Sequence, residues 1–448
     1  MKNYFFALLF AVAFTAAAQA ETLSFVSAWK KINSASAAQD ASRLQTQALR
    51  ESQSRASRHW LPRVYLDAKS YQTNAPGASF FGLLEQRALV QSDFNPDSIN
   101  RPDSQLFTRA ALGLDLPLYE GGMKASQAQM LKHATLAGEN QTRQVQLEQY
   151  SIVGLSYGSL AVLAQQKNRL VSLHAEIERM IQGYQLGIKS NPVGYSGLLG
   201  MKSLSNRLTG LIQQYEAQSQ AYFAALSEMG LQDLNWTPEA MDSNTFVNFY
   251  LSPTVSQTQG PTAFKVAAAQ ETAKSADELA KMERAKFLPR VGAFAETAAF
   301  HGNRDTANSY NAGVYLQWNL FNPADYGSVR EARLKSQALF KSTQALTEQE
   351  RSEKSALQIT IKSLRQNINL LNDSYKLLIE QAKMTQTLFR NGSINALQMV
   401  EIMNRRADLI TQQSDAELSL IKTSAQVVTK EAFDIEAHLN KGAKNENQ

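Results

Sequence analysis

The chain has 448 residues, of which 44% are hydrophobic and 19% charged, and its formal net charge is +5. This length suffices for two or three ordinary domains, and the composition excludes a disordered chain. The lack of cysteine excludes disulfides, thiolate metal sites, a cysteine nucleophile and an acylated lipoprotein anchor. The 45 basic and 40 acidic residues are interspersed without a basic block, which argues against a nucleic-acid partner.

The residue types also argue against catalysis. The five histidines are scattered and give no pair at metal-ligand spacing. Neither a nucleophile beside a base nor a glycine-rich phosphate loop is recognisable along the sequence. We therefore predict no catalytic residue, no bound metal and no cofactor, and we expect the protein not to be an enzyme.

Residues 1–20 have the pattern of a secretory signal peptide. Lys2 provides a positive charge, an apolar stretch follows over residues 4–16, and the segment ends in the small-residue cleavage motif AQA. The mature chain is therefore expected to begin at Glu21, after cleavage behind Ala20, and to reside in a bacterial cell envelope.

The rest of the chain has the pattern of an internal repeat. The tetrapeptide LPRV occurs at 61–64 and again at 288–291. In each half, the predicted order is a helix, LPRV, two alternating segments, a very long helix, a glycine turn and a second long helix. We assign the first repeat to 21–230, a linker to 231–262, the second repeat to 263–435 and a C-terminal tail to 436–448.

Each repeat contains two predicted alternating segments. They lie at about 61–72 and 108–119 in the first repeat and at about 288–300 and 309–321 in the second. Apolar and polar side chains alternate in them, so that Leu112, Leu114 and Leu116, for example, lie on the same face. The pattern is typical of membrane-barrel strands with apolar side chains toward lipid, and it also fits a half-buried sheet in a soluble domain. In a barrel, the charged side chains that would line the lumen are Arg63, Asp67, Lys69, Asp115 and Glu296.

A long insertion separates the first two predicted strands. It spans 73–108 and includes Phe80, Phe81 and Phe94. Because long loops join barrel strands on the outer side of the membrane, we predict an extracellular loop that folds over the barrel mouth.

The predicted long helices cover about 122–188, 196–230, 324–391 and 396–435. One heptad seam, with apolar residues spaced alternately by four and three, consists of Leu357, Ile361, Leu364, Ile368, Leu371, Tyr375, Leu378 and Ala382. A second seam includes Leu204, Leu208, Leu211 and Tyr215, and a shorter run includes Leu170, Leu173 and Ile177. A helix of about 65 residues is ~100 Å long, far beyond the average of about three turns.

Four strands are too few to close a barrel, for which about eight are the minimum. Several copies of the chain must therefore share one barrel. Three copies would supply twelve strands, although closure alone does not fix the number of copies. The predicted fold class is thus mainly α-helical with a membrane β-barrel portion that continues into a long α-helical coiled coil.

These features together resemble the TolC family of outer-membrane efflux channels over essentially the whole mature length. The similar segments are the duplicated LPRV motif, GLDLPLYEGG (113–122), GVYLQWNLFNP (313–323) and FRNGSINALQMVEIMNRRADL (389–409). The resemblance implies a homotrimer, with a twelve-stranded barrel in outer-membrane lipid and a periplasmic tunnel closed at its inner end. It also implies docking to a periplasmic adaptor (membrane fusion) protein and to an inner-membrane transporter of RND, ABC or MFS type.

The resemblance also places the tunnel gate. The two acidic positions of the family's constriction fall on Gln398 and Glu401, of which only Glu401 is acidic, and Gly197 stands where the first repeat commonly has an acid. The aromatic positions of the family's polar latch fall on Tyr184 and Phe389. These departures imply a weaker carboxylate ring and a more apolar closure that involves Leu397 and Met399.

The turn glycines of the two repeats match the positions against which the family's adaptor packs. They are Gly187 and Gly392 in this sequence. Glycine accepts positive φ and allows close backbone approach, so the same residues also suit plain helix C-caps.

Several alternatives stay open. Met399 and Met403 are one helical turn apart, a spacing that fits a soft-metal relay but is more often packing. The expected function is a passive outer-membrane exit duct for small molecules. A conduit for type I protein secretion has the same fold, and a structural periplasmic coiled-coil protein is an alternative of another class.

Overall fold

The computed structural model describes residues 21–184, 191–231, 236–252 and 263–445. The predicted signal peptide, the turn glycine Gly187 and much of the predicted linker lie outside these ranges. The chain forms two compact units. Within these described ranges, the helical unit comprises residues 21–41, 142–265 and 348–445, and the sheet unit comprises Ser42–Gln141 and Val266–Thr347. Each unit therefore contains segments from both predicted repeats.

The first half of the chain begins with a short strand, β1 (Glu21–Leu23), and helices α1 (Phe25–Ala35) and α2 (Ala37–Ser57). Strand β2 (Arg63–Thr73) is separated from strand β3 (Gln105–Glu120) by helices α3 (Pro76–Glu85) and α4 (Pro96–Asn100). Two long helices follow, α5 (Met123–Gly183), which has 61 residues, and α6 (Pro192–Glu228), which has 37.

The second half begins with β4 (Trp236–Pro238), α7 (Ser243–Phe246) and a π-helical turn at Val247–Leu251. Helix α8 (Phe264–Ala285) leads to strands β5 (Arg290–Gly302) and β6 (Thr306–Gln317). The remaining helices are α9 (Ser328–Arg390), with 63 residues, α10 (Ala396–Val428) and α11 (Ile435–Asn445). Among the described residues, no helix is both long enough and apolar enough to cross a lipid bilayer.

The sheet unit is built on a four-stranded antiparallel sheet in the order β2-β3-β5-β6. Each repeat contributes one adjacent pair of strands, and β3 pairs with β5 to join the two pairs. β2 and β6 are the outer strands, and no other strand of the described chain pairs with their free edges. Unpaired edges present free backbone donors and acceptors to a further strand.

The helical unit buries the predicted seams. Leu170, Leu173, Ile177, Leu204 and Leu208 belong to one core cluster in which α5, α6 and α10 meet. The α9 seam is less complete, because Ile368 and Ala382 are buried while its other members are half-buried. The heptad pattern therefore identified the packing residues of these helices correctly, and the predicted fold class, long helices with a small antiparallel sheet, is confirmed.

A second core in the helical unit is aromatic. The ring of Phe25 on α1 contacts the rings of Tyr150, Tyr157, Phe246 and Tyr250, with centroids 4.7 to 5.5 Å apart. The Tyr157 hydroxyl donates to the Leu23 carbonyl at 2.6 Å and the Tyr150 hydroxyl to the Tyr250 carbonyl at 2.8 Å. These contacts hold β1, α1 and the residues after α6 against α5.

Several helix ends differ from the sequence-based boundaries, and α9, for example, begins at Ser328 instead of about 324. α6 begins at Pro192 instead of about 196, because Asn191 caps it and proline suits the first helical turn. α10 ends at Val428 instead of about 435, and residues predicted as a tail form α11, whose first turn is capped by the Asp434 carboxylate. Capping residues outside the heptad pattern thus set the starts of α6 and α11.

Candidate functional sites

The five charged residues predicted to line a lumen share one face of the sheet. Directly paired residues of antiparallel strands lie on the same face. Arg63 pairs with Asp115 and Lys69 with Arg109 across β2 and β3, and Gly113 of β3 pairs with Glu296 of β5. With the alternation along each strand, this register places Arg63, Asp67, Lys69, Asp115 and Glu296 together. We call this surface the polar face.

The opposite face is apolar and exposed. Leu66 on β2 is 74% exposed and Val314 on β6 is 76% exposed, and Val64, Leu112 and Leu316 are exposed with them. A soluble protein of this size would cover such a face, because large contiguous apolar patches mark lipid or protein contact. The sheet therefore has the polarity of a membrane-barrel wall, with its apolar side outward.

Arg109 is the centre of the charges on the polar face. Its guanidinium forms ion pairs with Glu296 and with Asp67, the latter at 3.3 Å. The Tyr65 hydroxyl donates a hydrogen bond to Glu296 at 3.1 Å. Arg109 was not among the predicted lumen residues, although its place in the alternation of β3 could have revealed it. The charges of this face are thus cross-linked between three strands rather than independently solvated.

Two tyrosines cover glycines of neighbouring strands on the same face. A Cβ atom at Gly113 would lie 2.3 Å from the Tyr65 ring, and one at Gly292 would lie 2.4 Å from the Tyr315 ring. The Tyr315 hydroxyl donates to Asp115 at 3.2 Å. Since the pairs Tyr65–Gly113 and Gly292–Tyr315 come from different repeats, the duplication extends to the packing of this face. Aromatic side chains over glycine pin the strand register.

In the helical unit, the turn between α9 and α10 has the expected glycine geometry. Gly392 has φ +74°, and its amide donates to the Phe389 carbonyl at 3.1 Å. Among the described residues, nothing lies within 4 Å of a Cβ atom built there. The next helix starts with a capping box, in which Asn395 and Gln398 each accept a hydrogen bond from the backbone amide of the other. Gln398 is therefore committed to capping α10.

Three of the predicted gate residues line one groove beside this turn. Its volume is about 500 Å³, and Leu397, Gln398 and Glu401 lie along it with Leu388 and Ile394. The Glu401 carboxylate accepts from Arg405, one turn further along α10, at 3.0 Å, and both side chains are 59% exposed. Among the described residues that line this groove, Glu401 is thus the one with a charged side chain.

Tyr184 and Phe389 lie beside the groove, in an apolar cluster. Their rings stack with centroids 5.8 Å apart and planes at 25°, against Met201, Ala396 and Val400. An aromatic pair of this kind contributes about 0.5–1.5 kcal/mol beyond its buried area. Ring packing therefore joins the two aromatic positions of the predicted tunnel gate.

Met399 was expected to take part in the apolar closure, and that expectation is wrong. Met399 and Met403 are fully buried in the core where α6 and α10 meet, so neither can line a passage. The same burial identifies them as packing residues rather than a soft-metal relay. Within the described residues, no group of three or more histidine, aspartate or glutamate side chains could hold a metal ion.

A buried polar network crosses the helical unit and was not predicted. The Glu417 carboxylate on α10 accepts from the amides of Gln166 at 2.9 Å and Gln413 at 3.1 Å. The Arg169 guanidinium donates to the Gln413 carbonyl oxygen at 2.7 Å and lies over the Tyr375 ring. Burial raises the pKa of Glu417, and the two amide hydrogen bonds offset only part of that rise.

Comparison with solved structures shows which fold the chain has. No protein-family model matches the sequence, and no curated protein matches it either. Among solved structures, CusC, which forms a transmembrane channel, is similar with a TM-score of 0.75 at 11% identity, over 91% of this chain and 92% of CusC. The Campylobacter jejuni outer-membrane channel CmeC is similar with a TM-score of 0.71 at 13% identity, over 94% and 89%.

The Neisseria gonorrhoeae outer-membrane channel MtrE, solved in its open state, has a TM-score of 0.73 at 10% identity, over 91% of this chain and 88% of MtrE. These three similarities span nearly the whole length of this chain and of each compared chain, so the whole fold is similar and not only one part of it. The chain therefore has the fold of bacterial outer-membrane channels, in agreement with the resemblance to the TolC family.

Proposed function

We propose that the protein is the outer-membrane exit duct of a tripartite efflux system, which passively conducts small molecules from the periplasm to the exterior. The proposal rests on which faces of the sheet are apolar and which are charged. Its apolar side is exposed and its charged side is cross-linked through Arg109, which suits a wall between lipid and a water-filled pore.

The free edges of the sheet support an oligomer. β2 and β6 each offer one unpaired side, and lipid cannot satisfy the backbone groups there. Neighbouring copies can pair these edges, and three copies give twelve strands. A second observation points the same way. Leu370, Leu377 and Met384 on α9 follow each other at intervals of seven and are each 68% exposed. Such a stripe suits a coiled-coil contact with another copy.

The proposed inner end of the duct is the turn between α9 and α10. Gly392 is open on its outer side, and the apolar groove with Glu401 lies next to it. A periplasmic adaptor would pack against this turn and connect the duct to an inner-membrane transporter of the RND, ABC or MFS class. The duct performs no bond chemistry, so the transporter selects the cargo.

The adaptor contact is testable at Gly392. We expect Gly392→Trp to block adaptor binding, because the large side chain would occupy the docking surface. Gly392→Asn is the matched control, since asparagine tolerates positive φ better than other non-glycine residues and stays small. Pull-down of the adaptor should fail with tryptophan and succeed with asparagine. Normal adaptor recovery with Gly392→Trp would contradict the docking surface.

The membrane wall is testable by a pair of lysines on β6. Val314 lies on the apolar face and Asn311, paired with Glu296, lies on the polar face, and both are exposed in the single chain. A lysine in contact with the bilayer midplane costs about 2–4 kcal/mol. Val314→Lys should therefore reduce the yield of heat-modifiable trimer in outer-membrane fractions, and Asn311→Lys should not. Equal tolerance would indicate a soluble sheet.

The activity itself is testable in cells that lack the protein. Restoring the chain should lower the accumulation of a fluorescent pump substrate, whereas the Val314→Lys variant should not. Co-purification with a protein-secretion transporter, without any effect on small-molecule accumulation, would indicate a type I secretion conduit instead. Recovery of the chain only in the soluble periplasm would indicate a structural coiled-coil protein.

A further inference from the structure

The insertion between β2 and β3 packs against the polar face of the sheet. The buried residues of α3 are Ser79, Gly82 and Leu83, followed by the buried Gln86, and this spacing defines one side of the helix. A Cβ atom at Gly82 would lie 2.4 Å from the ring of Phe107, and one at Gly302 would lie 2.4 Å from the amide of Gln86. Since Phe107 pairs with Gly302 on the same face as Arg109, the two glycines let the insertion lie flush on the charged side of the wall.

An ion pair fastens the insertion to the turn between β5 and β6. The Arg304 guanidinium donates two hydrogen bonds to the Asp93 carboxylate, at 2.6 and 2.9 Å, and a third to the Ala88 carbonyl at 3.3 Å. The Asp93 side chain is only 10% exposed. Arg87, at the end of α3, donates to the Asn308 carbonyl at 3.2 Å. We call the Asp93–Arg304 pair the latch.

The side of the insertion that faces away from the wall is apolar. Phe81 and Leu84 lie on the side of α3 opposite its buried residues and are 62% and 50% exposed. Phe94 is 58% exposed, and the Phe80 ring contacts the rings of both Phe81 and Phe94 at 5.8 Å. An apolar patch of this kind is unfavourable in water and requires a partner surface.

We propose that the insertion is a plug at the outer mouth of the pore, closed by contact between the insertions of neighbouring copies. This inference rests on the proposed barrel, in which the polar face is the inner face. A segment on that face lies inside the bore, and its exposed apolar patch points away from its own wall. The same patches of the other copies lie across the bore and match it in chemistry.

The contact between plug and wall is suited to opening. The Ser79 hydroxyl is buried against the wall and has no hydrogen-bond partner among the described residues. Gln86 on the insertion and Arg109 and Phe300 on the wall line one cavity of about 280 Å³. Because Ser79, Gly82 and Gln86 present little apolar surface to the wall, the charge-assisted hydrogen bonds of the latch add directly to the attraction between insertion and wall. Outward passage of a bulky cargo would need the latch to break.

The lack of native cysteine makes the plug testable by labelling whole cells. Asn311→Cys places a thiol on the polar face, and a bulky membrane-impermeant maleimide can reach it from outside only through the mouth. We expect Arg304→Gln to speed this labelling by about tenfold, as loss of a charge-assisted pair implies. A small impermeant thiol reagent should label both forms at similar rates. If Arg304→Gln does not assemble, replacement of residues 76–103 by a short glycine-serine linker gives the same comparison.

A second cysteine separates failure of the plug from failure of the proposed duct. Asn303→Cys lies in the exposed turn between β5 and β6 and should react with the bulky reagent in every form. If it reacts while Asn311→Cys is labelled equally fast with and without the latch, the plug is wrong and the duct stands. If Asn303→Cys is not labelled from outside, the outer-membrane duct is wrong, and the plug with it.

Contact between the insertions is testable by cross-linking. Leu84→Cys lies in the apolar patch and should form disulfides between copies under mild oxidation, seen as dimers on non-reducing gels. Ser79→Cys is the matched control, because it lies on the buried side of the same helix and should stay monomeric. Absence of dimers with Leu84→Cys in assembled trimers would overturn the contact between insertions.

Discussion

Gly197 of α6 lies so close to Ala396 of α10 that a Cβ atom at Gly197 would be 2.3 Å from the Cβ atom of Ala396. Non-bonded carbon atoms do not approach so closely, and Gly197→Ala would therefore force the two helix starts apart. We expect a loss of about 1–3 kcal/mol in the free energy of unfolding, typical of overpacking. Chemical denaturation of the purified protein in detergent measures it.

Gly210 is the matched control for this contact. It lies in the same helix, and among the described residues nothing is within 4 Å of a Cβ atom built there. Gly210→Ala should stabilise the protein by about 0.5–1 kcal/mol, because alanine favours the helix. Equal shifts in the two variants would mean that the approach of α6 and α10 does not constrain the fold.

Arg109 neutralises the carboxylates of Asp67 and Glu296 on the polar face. Arg109→Gln should make the pore more cation-selective, since it leaves both carboxylates without their common partner. Reversal potentials in planar bilayers under a KCl gradient measure the change. The double variant Arg109→Gln with Glu296→Gln restores the net charge and should return the selectivity toward the original. An unchanged reversal potential in the single variant would place this face away from the conducting path.

Glu401 is exposed and paired with Arg405, so it adds at most about 1 kcal/mol to stability. Glu401→Gln should leave the melting temperature unchanged and reduce the blockade of single channels by trivalent cations, because it removes the charge of the groove. Asp373→Asn on α9 is the control, as Asp373 is similarly exposed and paired with Lys376. If blockade is the same in both variants, Glu401 has no part in the gate.

Glu417 makes stability depend on pH. Its raised pKa means that the folded state binds a proton more tightly than the unfolded state, whose glutamate pKa is about 4.3. The contribution to stability therefore falls as pH rises from about 4 through the raised folded value. The melting temperature of the native chain minus that of Glu417→Gln should therefore be larger at pH 5 than at pH 7.5.

The exposed Glu216→Gln substitution serves as the control for this pH effect. Glu216 pairs with Lys167 at the surface, where removal of the carboxylate leaves the buried network intact. The melting temperature of this variant should follow that of the native chain at both pH values. A pH-independent difference between the native chain and Glu417→Gln would show that the raised pKa does not influence unfolding.

Periodicity was sufficient to predict the main elements. Alternation along β3 and the heptads of α5, α6 and α9 depend on neighbours in sequence, and the observed strands and helices follow them. The polar face also follows, because alternation places Asp67 and Glu296 on the same side once the strands pair.

What escaped prediction depends on contacts between distant residues. Gly197 was interpreted only as a missing acid, and its approach to Ala396 needs the packing of two helices. The spacing of Met399 and Met403 favoured packing over a metal relay, but only the contact between α6 and α10 shows that Met399 belongs to the core and not to the gate. The insertion was expected as a loop over the mouth, and the latch that holds it on the polar face joins residues more than two hundred positions apart.

The central claim, that this sheet is a wall between lipid and a pore, is most directly tested by a nitroxide scan along β6 in reconstituted membranes. Collision with oxygen, which favours lipid, should peak at Tyr310, Ala312, Val314 and Leu316. Collision with a polar nickel complex should peak at Asn311, Gly313, Tyr315 and Gln317, in the opposite phase. Equal exposure of both sets to the nickel complex would contradict the wall.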